Sequence, residues 1–172
     1  MDEMLDVVDE QDRVIGRAPR SACHGDPSKI HRVVHVLLFN RAGEILLQLR
    51  GRGKRIQPGK WDTSAGGHLA SGEGYDEAVR RELEEELGVT ETEGLVRLYD
   101  YLWRSPVETE RVRTFLLVHE GPFRFPSDEI EALRFWPPPE VEAALGRGVL
   151  TPNFEVEWAR YREMREKGAE TG

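Results

Sequence analysis

The chain has 172 residues, of which 38% are hydrophobic and 33% charged, a balance typical of one globular domain spanning residues 1–172. Its net charge of −8 argues against general nucleic-acid binding, which depends on neutralising phosphates with basic side chains. No apolar run approaches the roughly 20 residues that span a bilayer, and the acidic N-terminus lacks a signal-peptide pattern. A single cysteine, Cys23, excludes an internal disulfide framework. We therefore expect a cytoplasmic protein without membrane or nucleic-acid partners.

The first part of the chain is predicted to be mostly β-structure. Residues 4–20 predict a hairpin with a turn at 10–12, and residues 21–30 predict a loop. Residues 31–40 predict a buried strand, and 44–50 its antiparallel partner. A basic loop at 50–60 leads to a short strand at 61–69. The N-terminal hairpin is expected to be unpaired, and it could therefore extend a sheet across a homodimer.

One helix is predicted between Gly74 and Gly88. Gly74 is a tolerated N-cap, and Gly88 suits the left-handed residue that follows a helix. Helical spacing places three apolar side chains on one buried stripe: Val79, Leu83 and Leu87.

The last part of the chain predicts more strands and two further helices. Strands are expected at 95–104, 111–119 and 133–136, with a proline-bearing loop before the last of them. Three prolines at 137–139 begin a small helix at 140–146, and residues 154–167 predict a packed terminal helix. Strands interrupted by two or three helices indicate an α/β sandwich.

Three carboxylates crowd one side of the helix between Gly74 and Gly88. At about 100° per residue, Glu82, Glu85 and Glu86 fall within an arc of roughly 100°. Such crowding lowers helix stability because like charges repel. The pattern therefore favours a site for a hard divalent cation such as Mg²⁺, which takes oxygen ligands and bridges phosphates. A solvated acidic helix face is the alternative.

The stretch from residue 67 to residue 89 resembles the Nudix box, G-x5-E-x7-R-E-U-x-E-E-x-G-U, in which U is aliphatic. Every fixed position of that pattern is filled, by Gly67, Glu73, Arg81, Glu82, Leu83, Glu85, Glu86, Gly88 and Val89. The resemblance implies a mixed β-sheet between helices. It also implies hydrolysis of a small-molecule diphosphate, since this family cleaves nucleoside diphosphates linked to another moiety.

The same resemblance implies a role for each residue of the box. It makes four groups the ligands of Mg²⁺, with Mn²⁺ as a possible substitute: the carboxylates of Glu82, Glu85 and Glu86 and the carbonyl of Gly67. Glu73 would pair with Arg81 and brace the loop against the helix. The physical chemistry agrees, because hydrolysis of a phosphoanhydride needs charge neutralisation and a positioned water more than covalent chemistry.

The general base lies outside the box in this family and varies in position. The candidates are Glu129, in a loop, Glu110, and Glu85 within the box itself. The basic loop is predicted to contact substrate phosphates, because arginine forks and lysine charges bind phosphate oxygens. Arg50 and Lys54 are the preferred pair, and a merely solubilising loop is the alternative.

From residue 5 to about 120, the chain also resembles type I isopentenyl diphosphate isomerase. Three histidines and two glutamates match metal ligands of that family: His24, His31, His68, Glu108 and Glu110. Arg50 and Lys54 match its diphosphate contacts, and Glu86 matches its Mg²⁺-bound glutamate. The resemblance implies a second divalent ion, and the imidazole and carboxylate ligands suit Zn²⁺ or Mn²⁺. His35 is predicted to be a strand residue without a role.

One departure from the isomerase pattern bears on the reaction. The isomerase has an acid/base cysteine where this chain has Gly66, and glycine can neither give nor take a proton. Cys23 lies in another segment and is not expected to replace it. The sequence therefore favours a hydrolase over an isomerase, with a non-catalytic nucleotide-binding module as the third reading. No motif identifies the substrate.

Overall fold

A computed structural model describes residues 2–170, and the side chains of residues 2–168. Its strands are β1 (Met4–Val8), β2 (Val14–Pro19), β3 (Ile30–Phe39), β4 (Ile45–Arg50), β5 (Trp61–Asp62), β6 (Ala65–His68), β7 (Val96–Arg104), β8 (Thr109–Val118) and β9 (Ile130–Trp136). Its helices are α1 (Arg20–Cys23), α2 (Tyr75–Leu87), α3 (Pro138–Ala144) and α4 (Pro152–Glu170). No helix in residues 2–170 is long and apolar enough to cross a membrane.

The central strand is β3, whose apolar sequence suits burial on both faces. It runs parallel to β8 along its whole length and antiparallel to β6 and β1. On one face, Val34, Val36 and Leu38 pack against α2. On the other face, Leu37 and Phe39 pack against α4. The predicted mixed sheet between helices is therefore confirmed.

The predicted pairing of the third and fourth strands is wrong over most of their length. β3 and β4 pair only at Phe39 and Ile45, and β4 then pairs with β9 and β5. Both edges of β3 are occupied by other strands, so β4 diverges from it. Ser64 lies in the gap, where its Oγ accepts a hydrogen bond from Leu38 N–H at 2.9 Å and donates one to Leu46 O.

The N-terminal hairpin is confirmed, but its surroundings differ from those expected. β1 pairs with β3, so the hairpin is not unpaired and only β2 lies at the edge. Pairing of β2 between two copies stays a prediction. The predicted loop at 21–30 begins with α1, because Cys23 is buried against Leu5 and Ala18 beneath the hairpin.

Several element limits also differ from the prediction. Residues 61–69 form two strands, β5 and β6, because each pairs with a different partner strand. β8 begins two residues early and therefore contains Glu110, and β9 begins at Ile130 because it pairs with all of β4. α3 begins and ends two residues earlier than expected, and α4 extends further at both ends. Met1, Thr171 and Gly172 lie outside the described residues, so a single domain over 1–172 stays a prediction.

Helix α2 has the limits that its glycines predict. It begins after Gly74 and ends at Gly88, whose φ of 66° is left-handed. Gly88 N–H donates to Glu84 O at 2.9 Å, and Val89 N–H donates to Leu83 O at 3.1 Å. These bonds satisfy carbonyls that the last turn would otherwise leave unpaired. The predicted apolar stripe is buried in full.

Gly88→Ala is expected to lower the free energy of unfolding by about 1–2 kcal/mol, because alanine is strained at positive φ. Its Cβ would also lie 3.2 Å from Arg124 Cβ. Denaturant unfolding measures the change. Gly16→Ala is the control, because nothing lies within 4 Å of a Cβ there. Equal stability of the two variants would contradict the role assigned to Gly88.

Candidate functional site

A cleft of about 630 Å³ opens between α2, the basic loop and the N-terminal hairpin. It is lined by every site residue that the sequence predicts except Glu73 and His31, which lie just behind its surface. The carboxylates of the box, the other two histidines and the basic loop therefore face one shared space.

The carboxylates of α2 meet strand β6 at two glycines. A Cβ on Gly67 would lie 2.1 Å from Glu82 Oε1, so only glycine leaves room for that carboxylate. Gly66 N–H donates to Glu86 Oε1 at 3.2 Å, and Gln48 Nε2 donates to Glu86 Oε2 at 2.7 Å. The missing side chains thus allow the helix to place two carboxylates directly against the strand.

Burial changes the proton affinity of these two carboxylates. Burial and, to a smaller extent, the neighbouring Glu82 raise the pKa of Glu86 to about 8, although the hydrogen bond from Gln48 opposes the rise. Burial also raises the pKa of Glu82, although the Arg81 guanidinium opposes the rise. The buried carboxylate of Glu82 and the adjacent, partly buried carboxylate of Glu86 favour a bound cation, and their oxygens suit a hard divalent ion. Glu85 differs, because its side chain is 59% exposed at the rim.

Arg81 connects the box loop to the helix. It donates to both oxygens of Glu73, at 2.8 and 3.0 Å, and to the carbonyl of His68 at 3.0 Å. A further hydrogen bond, 2.7 Å from Arg81 Nη1 to Glu82 Oε1, orients the buried carboxylate. Glu73 also accepts a hydrogen bond from Ala70 N–H at 2.9 Å. The predicted pair is thus formed.

The three predicted histidines converge in space. The ring centroids of His24, His31 and His68 lie 5.1–5.5 Å apart. One ligand atom from each histidine and one from Glu108 all lie within 4.8 Å of one another. Glu108 Oε2 is 3.4 Å from His24 Nε2 and 3.7 Å from His31 Nε2. Glu110 lies beside this group, with its Oε1 3.9 Å from His68 Nε2.

Two buried atoms of this cluster lack a hydrogen-bond partner among the described residues, His31 Nε2 and Glu108 Oε2. Buried polar atoms are normally satisfied, so an unpaired nitrogen and oxygen pointing together indicate a ligand position. Burial lowers the pKa of His31 to about 4 and that of His68 to about 2, which keeps both rings neutral. Neutral imidazole is the form that binds a metal. The cluster could therefore hold a transition-metal ion.

The basic residues of the cleft are partly engaged by acidic ones. Arg50 Nη1 is 3.3 Å from Asp62 Oδ2, and Arg50 Nε donates to the Ile56 carbonyl at 3.0 Å. Lys54 Nζ is 4.0 Å from Glu129 Oε2, and both side chains are accessible to solvent. Lys54 is therefore the less constrained cation.

Two residues that the sequence analysis did not assign also face the cleft. Gln48 lines the cleft and is the one uncharged polar residue of β4, a signal that the sequence offers. The sequence predicts His35 to be a strand residue without a role, yet its ring borders the cleft and its Nδ1 lies 3.0 Å from Glu157 Oε1. Strand alternation places His35 on the same face of β3 as His31. Glu157, in α4, is distant in sequence, so no local pattern could pair it with His35.

The contacts of His35 also affect its charge. Burial alone would lower the pKa of the His35 imidazole, but Glu157 raises it above its ordinary value. Glu110 and Asp62 raise this pKa further. The cleft is therefore lined by one imidazole whose pKa is raised, that of His35, and by one whose pKa is lowered, that of His68.

Comparisons with known proteins agree with this geometry. A family model described as NUDIX domain matches residues 29–154. The chain is 37% identical over 134 residues to an uncharacterised Nudix hydrolase of Pseudomonas aeruginosa, covering 77% of this chain and 78% of that one. It is 35% identical over 172 residues to a Nocardia farcinica protein named isopentenyl-diphosphate Delta-isomerase, covering 92% and 97% of the two chains.

A solved structure gives the same result. The crystal structure of a Deinococcus radiodurans protein, DR0079, superposes with a TM-score of 0.79 at 28% identity. The match covers 92% of this chain and 98% of that one. The family model, the sequence relatives and the shared architecture show that this chain belongs to the Nudix hydrolase family.

Proposed function

We propose that the chain is a divalent-metal-dependent hydrolase that cleaves a phosphoanhydride bond in a nucleoside diphosphate derivative or a related diphosphate. The observation that carries the proposal is the contact of Glu82 and Glu86 with the side-chain-free positions Gly66 and Gly67. This contact brings one buried and one partly buried carboxylate into a cleft that Arg50 also lines. A structure needing only a solvated acidic face would leave these groups in water.

One group of cleft residues would bind the metal ion. Glu82, Glu86 and the Gly67 carbonyl would hold Mg²⁺ or Mn²⁺, with Glu85 at the rim. A bound ion of this kind neutralises phosphate charge and lowers the pKa of an attacking water. The guanidinium of Arg81 keeps Glu82 in position for this role.

Substrate phosphates would contact Lys54 and Arg50, which line the same cleft. Lys54 can turn from Glu129 towards a phosphate oxygen, since their 4.0 Å contact is partly exposed and therefore weak. For the general base, Glu85 and Glu129 are the better placed candidates, because each reaches solvent in the cleft. Glu110 is buried beside the histidines, where burial raises its pKa to about 7, and it is better suited to that cluster.

The direct test is a metal-supplemented screen over nucleoside di- and triphosphates, nucleotide sugars, dinucleotides and prenyl diphosphates. We expect phosphate or monophosphate products from at least one class, with no turnover after chelation. Tight Mg²⁺-dependent binding of a nucleotide without any product would instead support a non-catalytic module.

Glu86→Gln is expected to reduce turnover about 100-fold or more, because the amide keeps the shape but removes a charged ligand. Steady-state kinetics on the substrate found in the screen measure the change. Glu84→Gln is the matched control, since Glu84 is an exposed glutamate of the same helix that does not line the cleft. Near-native turnover of Glu86→Gln would refute the ligand assignment.

We also propose that His24, His31, His68 and Glu108 hold a second ion, Zn²⁺ or Mn²⁺, with Glu110 beside them. The converging ligand atoms and the two unpaired buried atoms support this site. His24→Ala should then lower the bound transition metal without removing Mg²⁺-dependent activity entirely. Elemental analysis of the purified protein measures the content. His119→Ala, outside the cluster, is the control, and equal metal content in both variants would count against the site.

Isomerase activity is a second candidate, favoured by the converged histidines and by the relative of that name. The surroundings of Gly66 count against it. A Cβ there would lie 2.9 Å from the Val34 carbonyl and 3.0 Å from His35 Cδ2, so a cysteine does not fit without movement. Incubation with isopentenyl diphosphate in heavy water should yield no deuterium-labelled dimethylallyl diphosphate, and formation of that product would reverse our preference.

Gly66→Cys should lower the free energy of unfolding by about 1–3 kcal/mol, as expected for overpacking next to rigid backbone. Gly25→Cys is the matched control, because its Cβ would meet only the Ser21 carbonyl at 3.7 Å. Thermal or denaturant unfolding compares the two. A Gly66→Cys protein as stable as the control would show that the cleft can accommodate the cysteine.

A further inference from the structure

Glu157 is a fully buried carboxylate that accepts hydrogen bonds from four side chains. His35 Nδ1 is at 3.0 Å, Thr114 Oγ1 at 2.8 Å and Tyr101 Oη at 3.1 Å, and Tyr99 Oη donates to the other oxygen. A buried carboxylate with this many donors stays ionised, and these contacts lower the pKa of Glu157 despite its burial. The group is therefore a fixed negative charge beneath the sheet.

Of these four donors, only His35 lines the cleft. The other three do not reach it. The hydrogen bond between His35 Nδ1 and Glu157 fixes the orientation of the ring, so that Nε2 points away from Glu157. Nε2 makes no hydrogen bond with any residue in the described part of the chain. Since Nε2 is not among the buried atoms that lack a partner in the described residues, it is accessible to solvent.

The neighbouring strand leaves this ring uncovered. His35 is paired across β3 and β6 with Gly66, and a side chain at Gly66 would collide with the ring. The glycine therefore keeps His35 open to the same space that Glu82, Glu86 and Lys54 line. An imidazole that is oriented by a carboxylate and open to a cleft is a donor suited to an anionic oxygen.

We propose that His35 contacts the substrate, with its Nε2–H donating a hydrogen bond to an oxygen of the diphosphate group, and that Glu157 is its positioning residue. The inference rests on the proposed function, because it takes the diphosphate to occupy this cleft. It adds a third phosphate contact to those of Arg50 and Lys54, from strand β3 instead of the basic loop. Asp62 already neutralises part of the charge of Arg50, so His35 contributes a larger share of the binding free energy of the diphosphate.

A structural role would give a different result. If the His35–Glu157 contact only ties α4 to the sheet, its loss lowers stability but leaves the affinity of the folded protein for a diphosphate unchanged. If His35 contacts the ligand, affinity falls under conditions in which the variant is fully folded.

The affinity test uses methylenediphosphonate, a non-hydrolysable diphosphate, titrated by calorimetry into the native protein with saturating Mg²⁺. His35→Gln should bind it about 10-fold more weakly, the effect of removing one charged hydrogen bond. Glu157→Gln should weaken binding by a smaller factor of about three, because the imidazole remains but loses its orientation. His119→Gln is the matched control, since His119 also pairs with a glutamate, Glu91, outside the cleft. It should bind like the native protein.

A second measurement needs no variant to fold well. In native protein labelled with ¹⁵N-histidine, Mg²⁺ with methylenediphosphonate should shift the His35 Nε2 resonance and slow exchange of its proton, while the His119 signals stay in place. An unchanged His35 resonance, or unchanged affinity of folded His35→Gln, overturns the inference. If the substrate screen still yields products, the proposed function survives that result. Absence of methylenediphosphonate binding to the native protein overturns the inference as well.

Discussion

The contact between helix α2 and strand β6 is the constraint on which the site depends. Side chains are missing at Gly66 and Gly67, so the Glu82 carboxylate occupies the place of a Cβ and Glu86 reaches a backbone N–H. Even one methyl group at Gly67 would force Glu82 away from the strand. The buried apolar stripe of α2 packs on β3 and thereby keeps the helix close to β6. Hydrophobic packing thus stabilises a placement of charges that would otherwise repel one another.

Strand β6 also separates the two proposed ion sites. Neighbouring residues of a strand point to opposite faces, so Gly67 faces α2 while His68 faces the other two histidines. The same short strand therefore serves the box carboxylates on one side and the histidine cluster on the other. The physical consequence is proximity: both groups line one cleft without competing for the same ligands.

The features that resemble the isomerase family and those of the hydrolase family meet at strand β6. His24, His31 and His68 converge as the isomerase resemblance implies, yet Gly66 lacks the acid/base side chain of that family. In its place the space beside β6 is taken by His35, whose ring would collide with a side chain at Gly66. The chain thus combines an isomerase-like histidine cluster with a complete Nudix box.

The sequence by itself determined α2, its glycine limits and its carboxylate arc, because these depend on local periodicity and on backbone conformations that glycine permits. It also determined which side chains were candidates for the two ion sites. Tertiary structure alone decided that β4 leaves β3 after one pair, since strands β6 and β8 compete for the same edges. It alone decided that Glu157 lies beneath His35, 122 residues away along the chain. Contacts of that kind depend on how α4 packs against the sheet, and no local pattern records them.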